Sequence, residues 1–545
     1  MNLSELQSQT KIEILTDQET LNSHKRDASI FELVPLAVAF PKDASEISAL
    51  VKYCSKNKSS SPELSITARA AGTDMSGGSI GEGIVLDTTK YLNHLLEIGG
   101  DFAIVEPGMY YRDFEKLTLE HNLLLPSYPA SKDLCAMGGI VSNNSGGEKT
   151  LSYGKTKDYV ESLEVVLSNG EIINTHKLSL KELEQKFALN NFEGELYRKT
   201  HELLESHYDA IQNSIPPVTK NSAGYLLWEA WDRKSFDLSK LFVGAQGTLG
   251  IISKIKLHLI HPTTHSRLLV LFVDDLSILG KLVDKVMEYK PETFESFDDK
   301  TFKLAVKFAP EMIKRMKGGF LKLAFQFLPE VWYVLTGGIP KLLLLAEFTG
   351  HSEEEAYSKL LKAKKVVEDK FDIQTHVTKS AEETQKYWVM RRESFNLLRK
   401  KVKNLHTAPF IDDVTVPVLA LPKFLPELQK ILNKYPSLVY TIAGHAGDAN
   451  FHIIPLMDLA KESERSIIPK LSQEVYNLAL SFHGSTTAEH NDGLVRGQYL
   501  RQMYGDEVFG VMQSIKKLFD PNDILNPHKK TEATWEYSYP KIQHF

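Results

Sequence analysis

The sequence predicts an α+β protein: a first domain built around two glycine-rich loops, then a domain with an antiparallel sheet and helices on one face. Three observations carry this. The chain has 545 residues, more than one hydrophobic core supports. Up to about residue 260, short apolar strands alternate with helices and are interrupted by Arg69–Gly78 and Tyr128–Tyr159, both rich in glycine. Beyond His261-Pro262-Thr263-Thr264 a strand–helix order restarts with longer apolar runs.

In chain order, residues 1–30 read as a polar helical arm, 31–262 as the first domain, 263–510 as the second, and 511–545 as a segment that returns to the first. Pro35–Pro41 has a buried-strand pattern, and Asp43–Tyr53 follows with helical apolar spacing. Strands are expected at Ser65–Thr67, Ile84–Leu86 and Ala103–Val105, and a helix from Tyr110 to His121. Ser168-Asn169-Gly170 between β-rich runs is a hairpin signal. In the second domain Leu268–Val273 precedes a helix over 276–290, and Leu342–Phe348 precedes another over 352–369. Phe320–Leu335 is too short and too interrupted by Lys322, Gln326 and Pro329-Glu330 to span a bilayer. It reads as a helical insertion in the second domain, the alternative being an interfacial helix with Trp332 and Tyr333 at the headgroup level.

Composition narrows the function classes. Hydrophobic content of 42%, charged content of 25% and a net charge of −6, with a mean hydropathy of −0.23, belong to an ordinary globular protein. No basic block points to nucleic acid. Cys54 and Cys135 lie far apart, which argues against a disulfide framework or a cysteine-ligated cluster and suits a reducing cytosol. The first twenty residues lack the apolar stretch of a secretory signal.

The glycine-rich runs cannot build a core of their own. Glycine permits positive φ and close approach of the backbone to a ligand, so two such loops on one folding unit suggest a dinucleotide cradle. No Gly-x-Gly-x-x-Gly follows a strand, which removes the Rossmann reading. Farther on, His445 and His452 stand seven residues apart around a Gly-Asp-Ala-Asn turn, with Glu489-His490 downstream. Nitrogen and carboxylate ligands suit Zn²⁺, Mn²⁺ or Fe²⁺, and spacing does not choose among them. Adjacent Glu489 and His490 would point to opposite faces of a regular strand, so their convergence requires an irregular backbone.

Taken together these stretches resemble the FAD-linked oxidases and dehydrogenases, with a flavin domain of the vanillyl-alcohol-oxidase (PCMH) type and an FAD-linked oxidase C-terminal domain. The resemblance rests on Arg69, Gly72, Thr73, Asp74, Met75, Ser76, Gly77 and Gly78; on Pro129-Ala130-Ser131 and Met137-Gly138-Gly139; on Asn143-Asn144-Ser145-Gly146-Gly147 and Tyr153-Gly154; and on Gly250-Ile251 and Asn526. It implies that these residues bind FAD. Relatives with a covalent flavin usually carry histidine in the first loop, which here has none, so a noncovalent flavin is expected.

Gly-His-x-Gly-Asp-x-Asn-x-His and the later Glu-His resemble the signature of the D-2-hydroxyacid dehydrogenases. This implies a divalent metal held by His445, His452 and Glu489, with His490 as the base and Arg391 of Trp388-Val389-Met390-Arg391 as the carboxylate-binding arginine. Arg392 is expected to pair with Glu393 on the helix surface. Asn491-Asp492 departs from the glycine that many relatives have after the Glu-His pair. Where relatives acting on D-2-hydroxyglutarate use a lysine and an asparagine, this chain has Ile411 and Ile454, which implies a monocarboxylate such as D-lactate.

The expected reaction is oxidation of a D-2-hydroxy acid to the 2-oxo acid, with electrons passing to a separate acceptor: a quinone, an electron-transfer protein or O₂. The expected location is the cytoplasm, with contact to the inner face of the membrane if Phe320–Leu335 is interfacial. Two other readings compete. One is a non-redox FAD transferase of the alkylglycerone-phosphate synthase type, against which stands the lack of a basic cluster dedicated to phosphate. The other is a metallohydrolase using the His/His/Glu site alone, which would purify without a yellow flavin.

Overall fold

The computed structural model describes residues 3–307, 338–401 and 405–544. Phe320–Leu335, with its interfacial alternative, lies outside the described residues, as do the side chains of Arg392 and Glu393.

Among the described residues the chain forms three sheets. The first comprises β1 (Glu13–Leu15), β2 (Ala37–Phe40), β3 (Ile66–Arg69) and β4 (Ile84–Asp87), in the order β1-β2-β4-β3. Strands β2, β4 and β3 run parallel, and β1 is antiparallel to β2. The helix Ala44–Asn57 connects β2 to β3 and buries Ile47, Leu50, Val51 and Cys54 against the sheet. The Asp43 carboxylate caps its N-terminus by accepting from the Ser45 and Glu46 amides.

The second sheet is antiparallel: β5 (Leu95–Ile98), β6 (Phe102–Val105), β7 (Val160–Val166), β8 (Ile172–Ser179), β9 (Ser235–Asp237) and β10 (Ile251–His258), in the order β5-β6-β10-β7-β8-β9. The expected hairpin joins β7 to β8, with Val166 opposite Ile172 and Gly170 at φ +82° in the turn.

Two regions differ from the sequence reading. The N-terminal arm is helical at Leu3–Thr10 and Gln18–His24, but between them β1 adds an edge to the first sheet. The reason is the short alternation Ile12, Glu13, Ile14, which buries both isoleucines in the same core as Leu6. The second glycine-rich stretch contains a buried helix, Met137–Asn143, where loop structure was expected. Met137, Ile140 and Val141 supply its apolar face.

The third sheet is antiparallel: β11 (His265–Val273), β12 (Thr293–Asp298), β13 (Leu342–Gly350), β14 (Thr375–Val377), β15 (His406–Thr407), β16 (Val414–Thr415), β17 (Val439–His445) and β18 (Asn450–Met457). The order is β14-β11-β13-β12-β17-β18-β15, with β16 also paired to β18. Strand alternation sends Leu269, Leu271, Leu344 and Ala346 to one face, under the helices Leu279–Met287 and Glu353–Phe371 that the sequence suggested. Leu268, Val270, Leu343, Leu345 and Phe297 point the other way. There they meet Phe302, Tyr387 and Met390 of the helices Asp299–Lys307 and Ala381–Lys401, which the sequence reading had not placed. This second face carries the polar cluster described next. Among the described residues no helix is long and apolar enough to cross a membrane.

Candidate active site

The first glycine-rich loop leaves the end of β3 and folds around its own side chains. Gly72 has φ +67°, and a Cβ there would lie 2.2 Å from Arg69 Nη2, so glycine is the residue that leaves this backbone unstrained and the guanidinium in place. Arg69 donates to the carbonyls of Arg26 and Ser79. Asp74 Oδ1 accepts from the amides of Ser76 and Gly78 and from the Ser76 hydroxyl. Asn526, arriving on the C-terminal segment, donates to the carbonyls of Gly78 and Gln246 and accepts from Thr67 Oγ1. Arg69, Asp74 and Asn526 therefore spend their polar groups on holding the loop open in one shape.

Facing this loop is the helix Met137–Asn143. A Cβ on Gly138 would meet Pro107 Cβ at 2.6 Å, whereas one on Gly139 would find only Ala70 Cβ, at 3.7 Å. The two loops therefore approach each other at Gly139, with room for no more than a methyl contact to Ala70. Asn144, in the left-handed region at φ +48°, ends this helix. Asn143 Oδ1 and Asn144 Nδ2 are buried without a hydrogen-bond partner, and such atoms call for one. Two unpartnered amide atoms at a helix end that faces the first glycine-rich loop fit a bound FAD. Gly250 and Ile251 are tightly packed, against Val165 and in the core at the start of β10, and leave only backbone to offer. Pro129–Ser131 form a turn, with the Cys135 amide donating to the Ser131 carbonyl. Tyr153 and Gly154 end a short helix, Gly154 at φ +76°.

The register of the third sheet assembles the second cluster. Glu295 on β12 lies opposite His445 on β17, and Ala443 lies opposite His452 on β18. All face the side covered by the helix Ala381–Lys401, which brings in Arg391. His445 Nδ1 is 2.6 Å from Glu295 Oε1, and His452 Nδ1 is 3.0 Å from Asp412 Oδ1. Each ring therefore presents Nε2 toward Glu489, at 3.3 Å from Oε1 for His445 and 3.8 Å from Oε2 for His452. The His490 ring stacks on His452 with centroids 5.1 Å apart, and its Nδ1 lies 2.7 Å from Asp412 Oδ2, too poorly aligned for a good hydrogen bond.

Glu489 and His490 converge because their backbone leaves strand geometry. The fully buried Asp413 accepts from both of their amides, at 2.8 and 2.7 Å, and from Thr487 Oγ1. Asn491 follows at φ +64° and Gly493 at φ +49°. Asparagine is the side chain that best tolerates this region after glycine, which accounts for Asn491 at this turn.

The ligand atoms of Asp413, His452, Glu489 and His490 all lie within 4.8 Å of one another. The oxygens of Asp413 are committed to donors; His445 stands outside this group but brings its Nε2 to 3.3 Å from Glu489 Oε1, the oxygen that also accepts from Lys220. Imidazole nitrogens whose other nitrogen rests on a carboxylate, plus one anionic oxygen ligand, are a donor set that a divalent cation fits.

The electrostatics reflect the crowding of carboxylates around the imidazoles. Burial opposes charge on His445, but Glu295 and Glu489 outweigh it and hold the imidazole up at about 9. Burial likewise opposes charge on His490, while Asp413 and Asp412 raise it to about 9. Burial would raise Glu489, yet His445 and Lys220 hold it well below the usual carboxylate range. The cluster is anion-rich, and a divalent charge beside Glu489 would work against the elevation of His490.

Family models and relatives now bear on the same residues. Residues 35–176 match the FAD binding domain, and residues 263–530 match the C-terminal domain of FAD linked oxidases. The chain belongs to the FAD-linked oxidases. It is 25% identical over 524 residues to a D-2-hydroxyglutarate dehydrogenase of Pseudomonas putida, an alignment covering 95% of this chain and 50% of that one. It is 28% identical over 506 residues to glycolate oxidase subunit GlcD of Bacillus subtilis (92% and 89% covered). It is 27% identical over 491 residues to a D-lactate dehydrogenase of Anaerostipes hadrus (89% and 87%). The chain spans about half the length of the first curated relatives it matches. Among solved structures, p-cresol methylhydroxylase with substrate bound superposes with a TM-score of 0.67 at 15% identity over 98% of both chains. An alkyldihydroxyacetonephosphate synthase gives 0.65 at 13% identity, covering 95% of this chain and 83% of that one. At these identities the likeness is one of fold.

Within this FAD-linked oxidase, sequence reasoning missed Glu295 and Lys155, and placed Asp412 and Asp413 on a strand lining the site and Lys220 in a flavin-domain segment without giving any of them the role of holding the cluster. Lys220 is fully buried and donates to Glu489 Oε1 at 2.6 Å, with Asp448 at 3.0 Å. Lys155, also buried, donates to Ser222 and to the carbonyl of Ala488. The signal was present as charge inside apolar patterns: an Asp-Asp pair in Ile411–Pro417, and Glu295 between Phe294 and Phe297.

Proposed function

We propose that this chain oxidises a D-2-hydroxy acid with one carboxylate, such as D-lactate, to the 2-oxo acid, using noncovalent FAD and a divalent cation. The observation that carries the reading is the gathering of His452, Glu489 and His490 in one group, with His445 Nε2 against Glu489, next to the helix end at Asn143. Asn143 of the cradle donates to the Glu489 carbonyl at 2.8 Å. The relatives' names, dehydrogenases of D-2-hydroxyglutarate and D-lactate and a glycolate oxidase subunit, point to the same chemistry.

When bound, FAD would supply the acceptor for the substrate's α-hydride, and the cation would supply a Lewis acid for its hydroxyl. The chain's own residues do the rest. His445, His452 and Glu489 would hold the cation, the histidines oriented by Glu295 and Asp412. With Nδ1–H of His490 turned to Asp412, its Nε2 takes the hydroxyl proton. Arg391 binds the carboxylate through its planar fork. Ile454 shares the strand face of His452 and is half-buried, while Ile411 is fully buried in the core. Neither provides a partner for a second carboxylate, and burying that charge unpaired costs several kcal/mol. Cys54 and Cys135 are free and buried, which suits the reducing cytosol. Electrons leave to a separate acceptor.

The test is anaerobic bleaching of the flavin, screened over D- and L-2-hydroxy acids. D-lactate and D-2-hydroxybutyrate should bleach it and their L-enantiomers should not. A higher kcat/KM for D-2-hydroxyglutarate than for D-lactate would overturn the monocarboxylate assignment.

A further inference from the structure

Arg391 is not a free clamp. It forms an ion pair with Glu295 Oε2, and the other oxygen of the same carboxylate, Oε1, accepts from His445 Nδ1 at 2.6 Å. Glu295 is 1% exposed, His445 5%, and the Arg391 side chain 11%. Arg391 Nε is buried with no partner among the described residues. One buried carboxylate therefore spans the residue assigned to the substrate carboxylate and a residue assigned to the cation.

We propose that Glu295 is a positioning residue that couples substrate binding at Arg391 to cation binding at His445, an assignment that rests on the function proposed above. The sign follows from sharing. A substrate carboxylate on Arg391 draws the guanidinium away from Glu295, whose charge then bears more fully on the His445 Nδ1–H. A stronger acceptor at Nδ1 makes Nε2 a better donor to a cation. Conversely, a cation at Nε2 makes Nδ1–H more acidic, pulls Glu295 toward His445 and loosens its hold on Arg391. Each ligand thus tightens the other, and linkage requires the two effects to be equal. The unpartnered Nε and its side of the fork remain available to the substrate while Glu295 holds Nη2.

The experiment titrates Mn²⁺ into the metal-stripped, oxidised FAD enzyme, with and without saturating propionate, and follows free Mn²⁺ by electron paramagnetic resonance. Propionate has the carboxylate but no 2-oxygen and cannot be turned over. In the parent protein propionate should lower the Mn²⁺ Kd by roughly 5–10-fold, toward the lower end of ordinary coupling factors. In Glu295→Gln, Mn²⁺ should still bind, about 10–100-fold more weakly, and propionate should shift its Kd less than about 2-fold. Arg391→Gln leaves the Glu295–His445 contact in place and should also lose the propionate effect, so the result does not depend on one variant folding. Equal tightening in the parent and both variants, or none in the parent, overturns the coupling while leaving the metal site standing. Failure of the parent to bind Mn²⁺ at all overturns the metal assignment itself, and the coupling with it.

Discussion

Asp413→Asn isolates what holds the Glu489–His490 turn. Asp413 Oδ2 accepts from Thr487 Oγ1 at 2.6 Å, the Glu489 amide at 2.8 Å and the His490 amide at 2.7 Å, while Oδ1 accepts from Asn450 Nδ2. The residue itself sits at φ +72°, which asparagine tolerates, so backbone strain is not introduced. Asn450 Oδ1 has no partner, and by flipping its amide Asn450 can accept from the new NH₂, at the loss of its long 3.3 Å bond to the Val414 carbonyl. What is lost is charge. Three charge-assisted bonds at about 1.5–3 kcal/mol become neutral ones at about 0.5–1.5 kcal/mol. The turn is then about 3 kcal/mol less favoured, or roughly 10²-fold in its population. Hydrogen exchange of peptides spanning residues 485–495 should accelerate, and the rate of flavin bleaching by D-lactate should fall, while FAD remains bound. Exchange and bleaching both at the parent rate would refute the claim that this carboxylate builds the turn.

Three further outcomes follow from the same geometry. His490→Ala should slow flavin reduction by roughly 10²–10⁴-fold with FAD retained, whereas His445→Ala or His452→Ala should lose the metal, read by elemental mass spectrometry. Acid or heat should release FAD into the supernatant, and flavin remaining on the denatured chain would contradict the noncovalent assignment. On β13, burial and then Glu292 and Glu148 push the Glu347 carboxyl up to about 7, against a hydrogen bond from Ser266. A folded-state value above the unfolded one means that its contribution to stability is complete below about 4.5 and is lost as pH rises to about 7. Glu347→Gln should therefore raise the urea midpoint more at about pH 8 than at about pH 5, and equal shifts would refute the elevation.

The sequence by itself determined the local elements, because these depend on spacing along the chain. The apolar run before Asp43, the Ser168-Asn169-Gly170 turn and the long strand Leu342–Phe348 each act over a few residues, and each element is present. It also marked the glycines and histidines, since a glycine demanded by positive φ or a histidine beside a turn stands out in one dimension. The edge strand at Glu13–Leu15 escaped because three residues carry little periodic signal and gain their order from pairing with β2. The tertiary structure alone decided which charges serve the site. Glu295 and His445 are 150 residues apart, and Lys220 and Glu489 are 269 apart. A buried carboxylate or lysine is stable only beside its partner, and sequence spacing holds no record of who that partner is. Asp412 and Asp413 show this most sharply. They are identical neighbours in the chain, yet the first holds the His452 imidazole and lies beside that of His490, and the second ties down two backbone amides, because their side chains leave the backbone in different directions.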